Sequence, residues 1–205
     1  MATNYHPLWQ TNRVDFILEH YPADFFKGKR VLELAPYNGY IGYRFGLMGA
    51  QVHCIEGRQA NVDNIRRTFP ALSVEQADLD RPDWPWGKWD VIINFGLYYH
   101  LQNHHREHMV NCLQNCDLMF FETVVYDSSE PELFVRSESG DDQSLTDVGG
   151  NPSTSYVENI LRDNGANFTK YSTAKLNGNG HHYDWEDRDS KVLDPMARRF
   201  WIVSM

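Results

Sequence analysis

Five short apolar runs alternate with segments of helical spacing between Lys29 and Tyr126, and this rhythm limits the fold more than any other feature of the chain. The runs read KRVLELA, QVHCIEG, LSVEQAD, KWDVIINFG and DLMFFETVVY. Near-continuous apolar blocks of this length suit strands buried on both faces, as in a parallel sheet. The intervening segments YIGYRFGLMGA, RQANVDNIRRTF and NHHREHMVNCLQNC repeat at helical spacing. The first should stop at Gly49, and the second before Pro70. Alternating strand and helix predict an open α/β sheet with helices on both faces and right-handed crossovers.

The flanks fit the same plan. Trp9, Val14, Phe16, Ile17 and Tyr21 fall at roughly helical spacing, which predicts a leading helix ending near Pro22 within an N-terminal cap, residues 1–28. Residues 127–152 are polar, acidic and rich in Gly and Pro, and 176–195 are similarly irregular. Both read as irregular insertions on the substrate side of the molecule. Between them, SYVENILRDNGA predicts a helix capped by Ser or Thr and closed by Gly165. NFTKYSTA and RRFWIVSM read as the last two strands. The 205 residues suit one domain.

Composition narrows the function. Hydrophobic residues make up 41% and charged residues 23%, as in soluble globular proteins. No apolar run approaches the ~20 residues of a membrane span. The first residues lack the basic and apolar blocks of a signal peptide. Cys54, Cys112 and Cys116 are an odd set in apolar or helical contexts, which predicts reduced thiols and a cytoplasmic location. The net charge of −9 argues against a nucleic-acid acceptor, because such binders must neutralise phosphates. The small basic clusters Arg66-Arg67 and Arg198-Arg199 read as a solvated helix face and a strand start.

Four features fall at the carboxyl ends of the first four strands, the edge where open parallel sheets bind ligands. The first is the elbow after KRVLELA, with Glu33 before it and Gly39 within it. The second is Glu56, an acid placed to accept both hydroxyls of a ribose. The third is Asp78, which can accept the exocyclic amine of an adenine while Leu79 offers a backbone N–H and an apolar wall. Asp80 is an alternative register for that acid. The fourth is NFGLYYHL, Asn94 to Leu101.

In this order and spacing the chain resembles the class I S-adenosylmethionine-dependent methyltransferases. The resemblance runs from about Val31 to Leu101 and more loosely to Met205. IEGRQANVDNIRR resembles a bacterial and viral subgroup, and FGLYYHL resembles many small-substrate members. It implies a Rossmann-like, seven-stranded, mostly parallel sheet with the last strand antiparallel. It also implies S-adenosylmethionine as cofactor, S-adenosylhomocysteine as product, and methyl transfer by in-line displacement at the sulfonium. The implied cofactor residues are Glu33, Ala35, Tyr37, Gly39, Glu56, Gly57, Asp78, Leu79, Asn94 and Gly96. His100 and Tyr99 are the implied catalytic residues. Ala35, Tyr37 and Gly39 occupy the three glycine positions of the family's elbow, so two of them depart from the pattern. Asn38-Gly39 could supply the positive-φ geometry instead, with Tyr37 turned outward or laid over the ligand.

The remaining chemistry-bearing residues have competing readings. His100 could act as a general base, or pack and hydrogen-bond at the start of the following helix. Tyr98 and Tyr99 should face opposite sides. His104 and His108 have the i,i+4 spacing of a metal pair without a third ligand, which favours a solvated face. GHHYDW, Gly180 to Trp185, fits either a pocket wall or a surface turn. The lack of an Asn/Asp-Pro-Pro-Tyr/Phe sequence after the fourth strand favours a small-molecule or protein acceptor. The acid-rich loop suggests a cationic one. A non-catalytic S-adenosylmethionine-binding protein with a methyltransferase fold is the alternative. A nicotinamide-dependent oxidoreductase fits Glu56 but not the elbow or FGLYYHL.

Overall fold

A computed structural model describes residues 7–81, 87–140 and 143–205. Residues 1–6 of the expected cap, Asp83 and residues 141–142 lie outside that set. The strands are β1 (Arg30–Leu34), β2 (Gln51–Glu56), β3 (Ser73–Gln76), β4 (Trp89–Phe95), β5 (Cys116–Asp127), β6 (Leu133–Ser137), β7 (Val148–Pro152), β8 (Asn167–Tyr171) and β9 (Val192–Ser204). The helices are α1 (Leu8–His20), α2 (Tyr40–Leu47), α3 (Gln59–Thr68), α4 (His105–Gln114) and α5 (Thr154–Asp163).

Seven strands form one sheet in the order β3-β2-β1-β4-β5-β9-β8. β1 to β5 run parallel, while β9 is antiparallel to both β5 and β8. The alternation of side chains along each strand feeds two cores. Leu32, Leu34, Ile92, Met119 and Phe121 pack with α4 and α5 on one face. Val31, Ile93 and Phe120 pack with Val14, Ile17, Ile41 and Phe45 of α1 and α2 on the other. This two-sided burial accounts for the continuous apolar runs. Helix α5 is capped by Ser153, whose side chain accepts from the Tyr156 N–H.

Several expectations require correction. Residues 127–152 are not irregular throughout: β6 and β7 pair antiparallel from Leu133↔Pro152 to Ser137↔Val148. The run VGGNP lacks strand alternation because its glycines are needed for close packing. A Cβ on Gly149 would lie 2.4 Å from the Tyr99 carbonyl oxygen, and one on Gly150 2.7 Å from the His105 ring. β9 starts earlier than RRFWIVSM, because Val192 and Leu193 pair with Asp127 and Tyr126. Arg198 and Arg199 are buried, not a solvated strand start. His108 is also buried, which rules out a solvated His104–His108 face. Among the described residues no cluster of three or more His, Cys, Asp or Glu could hold a metal, and no helix is long and apolar enough to cross a membrane.

Candidate active site

The carboxyl ends of β1 to β4 open into a cavity of about 880 Å³. Small-molecule pockets span roughly 300–1,000 Å³, so this is a large one. Ala35, Tyr37, Glu56, Gly57, Asp78, Leu79, Gly96, Tyr99 and His100 all line it. Residues as far apart in sequence as Ala35 and His100 thus meet because the parallel sheet brings its strand ends to one edge. Glu33, Gly39 and Asn94 do not line it.

The elbow bends at three alternate positions. Ala35 has φ 50°, Tyr37 φ 58° and Gly39 φ 78°. The positive-φ geometry is therefore not confined to Asn38-Gly39. A non-glycine residue in this region is strained by about 1–2 kcal/mol, and neighbouring groups hold the bend in place. The Tyr37 N–H donates to Glu56 Oε2 (3.1 Å) and the Ala35 N–H to the Ile55 carbonyl (2.8 Å). Asn38 Oδ1 accepts from the Tyr40 N–H and from Gln10 Nε2, both at 3.0 Å, so α1 braces the elbow. The Tyr37 side chain stands at the cavity and is 50% exposed.

Alternation along β1 turns Glu33 to the α2 side. There its Oε2 accepts from the Gly42 N–H at 2.8 Å and lies 3.6 Å from the Cys54 thiol. Burial raises the Glu33 carboxyl to about 7, against the lowering effect of these two donors. Gly42 admits the carboxylate: a Cβ there would sit 2.5 Å from Oε2. Gly39 faces α3, where a Cβ would meet Ile65 at 3.0 Å. Asn94 lies behind the cavity. Its Nδ2 is 3.0 Å from His108 Nε2, and His108 Nδ1 is 3.2 Å from the Leu79 carbonyl. Burial lowers the His108 pKa to about 4. The neutral ring thus accepts from Asn94 and donates to Leu79, supporting the cavity wall from behind.

The acids at the ends of β2 and β3 differ in how they are occupied. Glu56 Oε2 takes the Tyr37 N–H, and Oε1 the Arg58 N–H at 3.0 Å. Each oxygen retains further acceptor capacity. Asp78 Oδ1 accepts from the Asp80 N–H, at 3.0 Å. Asp80 instead accepts from the N–H groups of Gln102, Asn103 and His104, at 3.1–3.3 Å, and so anchors the approach to α4.

After β4 the two tyrosines separate as expected. Tyr98 is buried, with its hydroxyl donating to the His105 carbonyl at 2.9 Å, whereas Tyr99 lines the cavity. His100 lies against Tyr99, with ring centroids 3.9 Å apart. His100 Nδ1 is 2.6 Å from Glu138 Oε2, and Arg136 Nη2 is 2.5 Å from Glu138 Oε1. Sequence reasoning missed Glu138, since it lay within a segment read as irregular. The same hairpin crosses the cavity: Gln143, Ser144, Leu145 and Thr146 line it. Arg58 Nη2 donates to the Gln143 carbonyl at 2.6 Å and so ties this loop to the end of β2.

A buried charge cluster was also missed. Glu122, on β5, has Arg13 Nη2 2.7 Å from Oε2 and Arg198 Nη1 2.9 Å from Oε1. Burial would raise the Glu122 carboxyl, but the two guanidinium groups outweigh it and hold the pKa below its ordinary value. Arg13 also donates from Nε and Nη2 to the Tyr183 hydroxyl, at 2.9 and 2.7 Å. Arg198 Nη2 donates to the Tyr99 hydroxyl at 3.2 Å. Arg13, Arg198 and His181 line the cavity, so GHHYDW contributes one histidine to the wall and a buried tyrosine behind it. Burial and the charges of Arg198 and Arg13 lower His181 to about 3. The pairing of Arg13 with Arg198 was illegible because 185 positions separate them, and β9 reaches Glu122 only through its antiparallel register with β5, Glu122↔Phe200.

No protein-family model matches the chain. A tRNA U34 carboxymethyltransferase of Pseudomonas putida is 25% identical over 146 residues, 66% of this chain, and the chain spans 43% of that relative's length. The N-terminal domain of EvdMO1, solved in the presence of S-adenosylhomocysteine and D-fucose, superposes with a TM-score of 0.69 at 14% identity, covering 98% of this chain and 84% of that one. A methyltransferase from Mesorhizobium loti gives 0.63 at 13% identity, covering 89% and 98%. The glycopeptide N-methyltransferase MtfA, complexed with S-adenosylhomocysteine, gives 0.64 at 11% identity, covering 98% and 91%. At such identities the likeness is one of fold. The chain has the fold of the class I S-adenosylmethionine-dependent methyltransferases, and the fold that the resemblance implied is borne out.

Proposed function

We propose that the protein transfers a methyl group from S-adenosylmethionine to a small molecule or a protein side chain, leaving S-adenosylhomocysteine. The observation that carries this reading is the convergence of Glu56, Asp78 and Leu79 on one cavity with the bent elbow. These residues fit the cofactor. Glu56 has acceptor capacity left for a ribose, and its carboxylate is fixed by two backbone N–H groups. Asp78 is the better candidate for the adenine amine, because the Asp80 carboxylate is occupied by three backbone N–H groups. Leu79 offers the apolar wall, with Gly57 and Gly96 alongside. Glu33 supports the elbow through α2 and acts at one remove.

When bound, S-adenosylmethionine supplies an electrophilic methyl group on a sulfonium. The chain contributes position and a path for the acceptor's proton. With Glu138 accepting from Nδ1–H, His100 keeps Nε2 as the basic nitrogen. That nitrogen suits a hydroxyl or amine that must lose a proton. Tyr99 lies beside it, and Gln143, Ser144, Leu145 and Thr146 of the β6–β7 loop line the same cavity. The retained elbow bend and the His100–Glu138 pair weigh against a non-catalytic binder.

Calorimetric titration is the first test. Micromolar binding of S-adenosylhomocysteine, weakened at least about tenfold by Glu56→Ala, is expected. Binding of a nicotinamide dinucleotide in its place would overturn the reading. A screen with labelled methyl donor across metabolite, peptide and RNA pools then identifies the acceptor, and transfer to RNA alone would refute the proposed acceptor classes.

A further inference from the structure

We infer that Arg198 and Arg13 form a subsite for a carboxylate carried by the methyl acceptor. This rests on the methyltransferase reading and adds the charge of the acceptor, opposite in sign to that suggested by the acid-rich loop.

Two guanidinium groups share the single carboxylate of Glu122, and no second acid pairs with either among the described residues. One positive charge is therefore left over at the cavity wall. Arg198 is 6% exposed, lines the cavity, and has no hydrogen-bond partner for its Nε among the described residues. His181 lines the same wall, with a buried Nδ1 that has no hydrogen-bond partner among the described residues either. A buried charge without a counter-ion is costly, and attraction to an anion is strong where water is scarce. The surplus of one charge matches a carboxylate better than a dianionic phosphate. The guanidinium fork also suits planar carboxylate oxygens.

The carboxylate of the cofactor's methionine moiety is the other source of the same chemistry. For Arg198, strand order favours the acceptor. Arg198 lies on β9, three strands from the β1 elbow in the order β1-β4-β5-β9. At ~4.8 Å per strand this is roughly 14 Å.

The test titrates benzoate and its neutral isostere benzamide into protein saturated with S-adenosylhomocysteine, read by calorimetry or by nuclear magnetic resonance. Benzoate is expected to bind at least tenfold more tightly than benzamide. Arg198→Met should remove that preference while changing the affinity for S-adenosylhomocysteine by less than threefold. This substitution leaves Arg13 and Glu122 as a balanced pair, and circular dichroism checks its folding. Equal binding of the two probes to the unmodified protein would overturn the proposal without recourse to any variant. Weakened S-adenosylhomocysteine binding with benzoate binding intact would also overturn it, by assigning Arg198 to the cofactor. Failure to bind S-adenosylhomocysteine at all would instead remove the methyltransferase reading on which the subsite depends.

Discussion

His100 Nδ1 lies 2.6 Å from Glu138 Oε2, which joins the end of β4 to the residue just past β6. The contact orients an imidazole that lines the cavity. If His100 is the base, His100→Ala should lower kcat by about 10²–10⁴-fold. Its affinity for S-adenosylhomocysteine should be almost unchanged. Steady-state kinetics paired with calorimetry would separate the two, and a variant with full kcat would exclude the role.

Glu56 holds the elbow and faces the cavity at once. Charge-assisted hydrogen bonds are worth about 1.5–3 kcal/mol. Glu56→Ala should therefore weaken S-adenosylhomocysteine binding by at least about tenfold. Glu56→Gln should lose less, since it keeps an acceptor. Equal affinities for all three proteins would remove Glu56 from the cofactor site.

Glu33 makes stability depend on pH. Its folded-state pKa is about 7, raised from 4.5 by burial. Between these values the folded state holds a proton that the unfolded state has released, so stability falls as pH rises from about 4.5 to 7. The loss is of the order of 3 kcal/mol at most. Glu33→Gln keeps an acceptor for the Gly42 N–H and has no proton to lose. Denaturant melts should show its advantage over the parent growing across that window and levelling above it. A constant difference would contradict the assignment.

Tyr37 sits at φ 58° with a half-exposed ring. Tyr37→Gly should relieve the backbone, with a net gain of about 0.5–1 kcal/mol after the added unfolded-state entropy of glycine. Tyr37→Val should destabilise, because β-branching worsens the strain. Thermal melts distinguish these outcomes. A loss on substitution by glycine would mean that the ring contributes more through packing than its backbone costs.

Glu122 is fully buried between two arginines. Glu122→Gln should cost about 3–5 kcal/mol, because it leaves both guanidinium groups without their anion. Chemical denaturation measures this directly. A loss below about 1 kcal/mol would show that solvent reaches the cluster.

That Glu56, Asp78 and Leu79 line one cavity was readable because they sit at fixed offsets from strand ends. Glu56 and Asp78 follow apolar runs, and a parallel sheet gathers such positions at one edge. Residue orientation was less legible. Glu33 and Asn94 belong to the right strands, but alternation turns one toward α2 and the other toward α4. Only the packed helices reveal which side faces the ligand. The elbow shows the same limit: its sequence suggested a loop that had lost its glycines, whereas its backbone keeps the positive-φ bend at Ala35 and Tyr37.

By itself, the sequence determined the strand–helix rhythm, the order of the first four strands' ligand-facing ends and the nature of the fold, because these depend on local periodicity and on acids next to buried runs. Only the tertiary structure decided the part of the candidate site built from His100, Glu138, Arg13 and Arg198. Glu138 reaches His100 across 38 positions, and Arg198 meets Arg13 at Glu122 across 185. Such pairs carry no local pattern. They exist because β9 returns antiparallel beside β5, and because the hairpin of β6 and β7 packs its glycines against Tyr99 and His105.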